Sequence, residues 1–257
     1  MIEKYYNGVI EQVAGGIGNV EHNSILVRYS NDFSIWDLES VNHYKDQTDI
    51  FFTCHEFSYN KIAEAYEPYL GLIRQMFHKY CSGTLEEFME ECDVYKLQRP
   101  VFESYFEKGF CERTEQILID EVEYEQERMH SSIVTMLQKL SEICPIVIVL
   151  NRFQLASKST MQLTNRLLQT KNKNIGIVLG VNDVQSIPEF AHEEWDAICE
   201  SMDDRNMVYH IGNAGRNMEP DVMDYYSDYE SDDGYRKLNN LVYFLDFDQA
   251  NHHLSKI

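Results

Sequence analysis

Short runs of consecutive apolar residues recur along the chain, separated by stretches in which apolar residues return every three or four positions. Five runs stand out: Ser24 to Tyr29 (SILVRY), Asp49 to Cys54 (DIFFTC), Ile146 to Leu150 (IVIVL), Ile175 to Val181 (IGIVLGV) and Met207 to Ile211 (MVYHI). A run of this kind, bounded by polar turn residues, predicts a strand buried on both faces, as in parallel sheets. Between the first two, Ile35, Leu38 and Val41 predict a short helix of the length a right-handed crossover needs. The whole pattern predicts an α/β domain built on a five-stranded, mostly parallel sheet.

Between the second and third runs the spacing is helical. Ile62, Tyr66, Tyr69, Ile73, Phe77 and Tyr80 recur at three or four residues, and so do Leu118, Val122, Met129, Ile133, Leu137 and Leu140. A large helical insertion, about 58–143, is therefore expected between strands two and three, covering one end of the sheet. Asp46 to Thr48 and Ser82 to Thr84 supply turn or cap chemistry at its edges, and Pro100 can open a helix at its first turn. After the fifth run, residues 213–235 combine glycines, a proline and many acids with little apolar periodicity, which predicts a flexible acidic loop. From Lys237 the helical pattern resumes through Leu241, Phe244, Leu245 and Leu254, so 236–257 reads as the start of a helical region with one exposed face.

Composition narrows the partners. The chain has 257 residues, and 43 acidic against 22 basic residues give a formal charge of -21, which repels nucleic acid and anionic membrane surfaces. Six cysteines are scattered without CxxC spacing, which fits a reducing cytoplasm; Cys144 and Cys199 fall in apolar patterns as small core residues. No stretch approaches the ~20 apolar residues that cross a bilayer, and the first eighteen residues lack the basic start and apolar centre of a signal peptide. The expectation is a cytoplasmic domain with protein partners, no nucleic acid and no membrane insertion.

Candidate chemistry is sparse. Cys54, His55 and Glu56 form a dense polar group at the end of the second strand, but adjacent strand residues point to opposite faces, so Cys54 and His55 do not pair readily. The adjacent His252 and His253 lack the three- or four-residue spacing that puts metal ligands on one helical face, and they read as helix surface. Gly15 to Gly18 (GGIG) precedes the first strand and is followed by no lysine, so an ordinary turn is expected. The segment Tyr225 to Tyr235 has the composition of a docking peptide or phosphorylation target, though disorder without a partner accounts for it as well.

The stretch Pro145 to Gln169, PIVIVLNRFQLASKSTMQLTNRLLQ, runs from a buried strand through a polar turn to a helix. It resembles the second nucleotide motif of the signal-transducing, STAND-like branch of the AAA-type P-loop ATPases, with Asn151 and Arg152 where that family carries its acids. In the place of the phosphate-binding loop stands VRYSNDFSIWDLESV, with Tyr29 and Ser34 at the glycine positions, Ile35 at the lysine and Trp36 at the hydroxyl. Phe33 and Trp36 are expected to fill the phosphate pocket, with Asp32 repelling phosphate. Arg152 has two possible roles, anion binding or a salt bridge at the strand end. Asn182 and Asp183 fall where the family senses the terminal phosphate. The resemblance implies a P-loop-like fold that has lost hydrolysis, with no catalytic residue, cofactor or metal. It implies a regulatory or scaffolding pseudo-NTPase over 1–212 in a bacterial signalling protein. Tetratricopeptide-like repeats would follow from 236–257, and an output domain such as a GGDEF diguanylate cyclase would be the intramolecular partner. A divergent active NTPase, a pure protein-interaction domain and a defence-type sensor are the alternatives.

Overall fold

The structure, a computed structural model, describes residues 2–18, 23–30, 33–59, 61–110, 122–170, 172–183, 187–203, 207–211 and 232–255. Asp32, Cys111, Leu118 and nearly all of the acidic segment 213–235 lie outside them, including Tyr225 to Tyr229.

The five apolar runs form one parallel sheet. Its strands are β1 (Ser24–Tyr29), β2 (Phe51–Glu56), β3 (Ile146–Asn151), β4 (Ile175–Asn182) and β5 (Val208–Ile211), in the order β2-β3-β4-β1-β5. The central strands β3 and β4 are buried along their whole length, whereas β2 is half-buried throughout and β5 is largely exposed, as edge strands are. The second strand begins two residues later than the apolar run predicts, which brings His55 and Glu56 into the strand itself.

Successive side chains alternate between two cores. On one face Ile25, Val27, Tyr29, Val147, Val149 and Val178 pack with helices α1 (Ile2–Gly15) and α2 (Glu39–Lys45). The sequence pattern names α2 but not α1, whose buried Tyr6, Val9, Ile10, Val13 and Ala14 form a single helical stripe. On β4 the residues of this face include Gly176 and Gly180. A Cβ at Gly176 would meet Val13 Cγ1 at 2.7 Å, and one at Gly180 would meet the Tyr6 hydroxyl at 2.2 Å. Two glycines four residues apart thus let α1 lie directly on the sheet.

The opposite face carries Leu26, Ile148, Leu150, Ile177 and Leu179 in a core shared with the remaining helices. Among the described residues four helices lie between β2 and β3: α3 (Tyr69–Tyr80), α4 (Leu85–Glu91), α5 (Arg99–Lys108) and α6 (Val122–Ile143). They share this core with the sheet rather than covering only its end. The helix expected from Ile62 starts at Tyr69 instead, because Pro68 occupies its cap; Ile62 and Tyr66 are buried in the irregular segment before it. Thr84 caps α4 through a reciprocal capping box with Glu87, and Pro100 sits in the first turn of α5. Helices α7 (Lys158–Gln169) and α8 (His192–Asp203) follow β3 and β4.

The last helices, α9 (Asp232–Tyr243) and α10 (Phe247–Leu254), and the turn between them place Leu238, Leu241, Phe244 and Ala250 in the same core. Helix α9 takes in Asp232 to Tyr235, four residues assigned to the acidic loop by composition alone. Gln249 donates to the Ala63 carbonyl at 3.1 Å, and the buried Asp246 carboxylate accepts from the Ser159 amide at 2.9 Å at the start of α7. His253, expected on a helix surface, is 1% exposed and lies against Gln249 and Phe190. Among the described residues no helix is long and apolar enough to cross a membrane.

Candidate functional site

In this strand order the chain leaves β1 toward β2 and leaves β4 toward β5, so the connections at the carboxyl ends of two neighbouring strands diverge. Doubly wound sheets open their ligand crevice at such a point. Here the crevice is occupied by the protein's own side chains.

Tyr29, the last residue of β1, is fully buried and donates its hydroxyl to Asn151 Oδ1 at the end of β3, 2.7 Å away. Phe33 packs edge-on against Tyr29 (4.9 Å between centroids) and against Tyr6 of α1 (5.2 Å). Asn151 Nδ2 donates to the Phe33 carbonyl at 3.5 Å, tying the loop after β1 to β3. Among the described residues the buried Tyr6 hydroxyl has no hydrogen-bond partner, and burial, with Tyr29 next, raises its pKa well above the ordinary value. Three aromatic rings and a carboxamide therefore close the place where a ligand would enter.

A second layer comes from β2. Glu56 Oε2 accepts from the Ile35 amide at 3.0 Å and from the Ser34 hydroxyl at 3.2 Å, while Oε1 lies 2.6 Å from Arg152. Both side chains of the Glu56–Arg152 pair are largely buried. Arg152 has a left-handed backbone (φ 53°), a conformation that costs a non-glycine residue about 1 kcal/mol and persists where its surroundings hold it. Its guanidinium also lies over the Tyr59 ring, 5.1 Å from the centroid. Of the two roles open to Arg152, the geometry takes the salt bridge.

The remaining sequence candidates are placed as follows. Trp36, expected in the pocket, is 52% exposed; the 3-10 turn Ile35–Asp37 buries Ile35 and turns the indole outward. Phe33 alone of that pair fills the space. Asn182 is buried and its amide donates to Gln154 Oε1 at 3.4 Å, whereas Asp183 pairs with Arg28 at 3.2 Å. Gly15 to Gly18 form the turn that ends α1, with the Gly18 amide on the Lys173 carbonyl. Among the described residues no three His, Cys, Asp or Glu residues are placed to hold a metal ion.

Cys54 and His55 are not brought together. Cys54 packs toward the α1 side, where burial pushes its thiol up to about 12. His55 faces Glu67 at 3.5 Å and the Phe57 ring at 4.5 Å. Cys54 should resist alkylation by a maleimide at pH 8 in the folded protein and react once urea unfolds it, as mass spectrometry would show.

Burial also lowers three imidazoles: His55 to about 4, His130 to about 4 and His253 to about 3. Because these values lie below the ordinary 6.5, the unfolded chain takes up protons that the folded protein refuses. The stability they contribute is present above pH 6.5 and is lost as the pH falls toward 4 and then 3. His253→Phe should therefore reduce the loss of unfolding free energy between pH 7 and 5 by about 2 kcal/mol relative to the wild type, measured in urea.

Tyr6 and Gly180, which meet at this closed crevice, the crest of the sheet, carry no local sequence signal as site residues. The stripe of α1 and the paired glycines of β4 were the available hints. Comparison with known proteins returns no match to a protein-family model, to a curated protein or to a solved structure.

Proposed function

We propose that this chain is a regulatory or scaffolding module of the degenerate P-loop type, a pseudo-NTPase that acts through packing on a partner protein or an attached output domain. One observation carries this: the crevice at the divergence of β1 and β4 is filled by Tyr6, Phe33, Tyr29 and Asn151 and closed from β2 by the Glu56–Arg152 pair. A phosphate-binding loop needs open backbone amides and a lysine. Here the Ile35 amide is already taken by the Glu56 carboxylate, whose charge repels an incoming phosphate. A GGDEF diguanylate cyclase is one kind of output such a module controls, and the four helices between β2 and β3 would be its insertion. It would shift its partner between two arrangements only by fitting one better than the other.

A pure protein-interaction domain is the second reading, favoured by one surface. Arg128 is sandwiched between the half-exposed Tyr95 and Tyr124 at 4.1 Å from each ring, and Leu97 is exposed nearby in sequence. Tyrosine and arginine so arranged are the residue types that dominate interface energetics.

Thermal unfolding with millimolar ATP, ADP or GTP and Mg²⁺ tests the proposal, since a ligand of the folded state raises the midpoint. No shift is expected. A Mg²⁺-dependent rise would make the chain a divergent, nucleotide-binding NTPase.

A further inference from the structure

The crest is closed, but one edge of the sheet is not. β2 is the outermost strand, and no described residue pairs with it on the side away from β3. The Phe51 amide bonds to the Pro145 carbonyl and the Phe57 amide to the Asn151 carbonyl, so in this parallel ladder the backbones of Phe51, Thr53, His55 and Phe57 are turned to β3. The amides and carbonyls of Phe52 and Cys54 therefore point outward, and neither residue has a backbone partner there among the described residues.

Sheet edges are commonly guarded by a proline, a bulge or a lysine in the edge strand itself. β2 has none of these: it reads FFTCHE, and its register with β3 runs unbroken from Phe51 to Glu56. Helices flank the open edge on both faces. On the α1 face, Tyr44 of α2 lies against Phe52, 5.6 Å between centroids. On the opposite face, Tyr80 of α3 meets Phe51 at 6.2 Å. An unpaired edge strand of this kind is where an extended peptide adds as a further strand.

Charge selects what such a peptide carries. Lys79 stands over the Phe51 and Tyr80 rings, 5.6 and 5.0 Å from their centroids. Lys45, the last residue of α2, lies near Cys54: burial raises that thiol, and the Lys45 ammonium opposes the rise. Both lysines are exposed, and neither has a carboxylate partner among the described residues, in a chain where acids outnumber bases 43 to 22. Asp46 and Asp49 lie in the turn before β2, not along it. The two lysines thus mark opposite faces of the edge at Phe51 and at Cys54, ~10 Å apart along the strand. Side chains three positions apart in an extended peptide also point to opposite faces.

We propose that β2 takes up an extended acidic segment of a partner protein as a sixth strand of the sheet, paired through the backbones of Phe52 and Cys54, with two carboxylates three positions apart on Lys79 and Lys45. This edge is separate from the crest, so failure of the peptide experiment leaves the nucleotide result untouched.

Fluorescence anisotropy of a fluorescein-labelled peptide, TVEVTEVT, titrated with the full chain at physiological salt and pH 7.5 tests it. Saturable binding is expected, with the Phe52 and Cys54 amides gaining protection from hydrogen exchange. K45A/K79A should weaken binding about fivefold, whereas K4A/K173A, on exposed lysines elsewhere, should leave it unchanged. All four are surface positions, so the variants keep the fold. The glutamine peptide TVQVTQVT should bind about fivefold more weakly, and TPEPTEPT, of equal charge but lacking amides that the ladder needs, should not saturate. The proposal is overturned by the absence of saturable binding, by equal binding of the proline peptide, by equal loss in the two pairs of variants, or by binding that leaves the Phe52 and Cys54 amides unprotected. Dimerisation through β2 in sedimentation, with the peptide excluded, would assign the edge to a second copy and overturn it as well.

Discussion

Gly180→Ala is expected to destabilise the protein by about 3 kcal/mol in urea unfolding, a large effect for one methyl group. The added Cβ would sit 2.2 Å from the Tyr6 hydroxyl and 2.6 Å from Asn151 Oδ1, both held inside the crest. Neither can retreat easily: Tyr6 is fully buried against Phe33, and Asn151 accepts from Tyr29. Tyr6→Phe alone should be nearly neutral, because the buried hydroxyl it removes has no partner among the described residues. In the G180A background, Tyr6→Phe should recover about half of the loss, since the Asn151 contact remains. A loss below about 1 kcal/mol for G180A would mean that α1 does not lie on the sheet as described.

The second large effect is at the Glu56–Arg152 pair. Arg152→Met should cost about 3 to 5 kcal/mol, because among the described residues it leaves a largely buried carboxylate facing only the Ile35 amide and the Ser34 hydroxyl. Removing both charges, as R152M/E56L, should cost less than R152M alone, since a buried ion pair and its apolar replacement are often close in energy. A double-mutant cycle measures the coupling directly. If the two single losses simply add, the pair does not close the crest.

The strands were the legible part of this chain. Consecutive apolar residues such as Ile146 to Leu150 have no polar face to offer, so burial on both sides of a parallel sheet follows from the residues alone. At β2 the run Asp49 to Cys54 is offset by two residues because the ladder with β3 extends through His55 and Glu56, polar residues that find partners in Glu67, Arg152 and the Ile35 amide. Tertiary pairing there overrides local pattern. Helix α1 was not read from the sequence, although Tyr6, Val9, Ile10, Val13 and Ala14 fall at helical spacing, and its role depends on Gly180, 174 positions after Tyr6 in the chain, a contact that no local pattern announces.

The crest was half legible. Tyr29, Ser34, Ile35, Asn151 and Arg152 can each be singled out from the two motif-like segments, and all five lie at or beside the closed crevice. Trp36 fails because a three-residue turn after Ser34 buries Ile35 and leaves the indole in solvent. His253 fails because the α9–α10 unit folds back onto the core, a packing that the exposed-face pattern of the last helix does not disclose.

The central claim is that the crest is closed by the protein's own side chains. Hydrogen–deuterium exchange tests it locally, with and without Mg²⁺ and ATP. The amides of Ile35 (bonded to Glu56), Phe57 (to Asn151), Leu155 (to Arg152) and Asn182 (to Gln154) are the reporters. The account predicts that all four exchange slowly, near the rate set by global unfolding, and that nucleotide changes none of them. Rapid exchange at these amides that slows when Mg²⁺ and ATP are added would show an open crest that a nucleotide completes, and would contradict it.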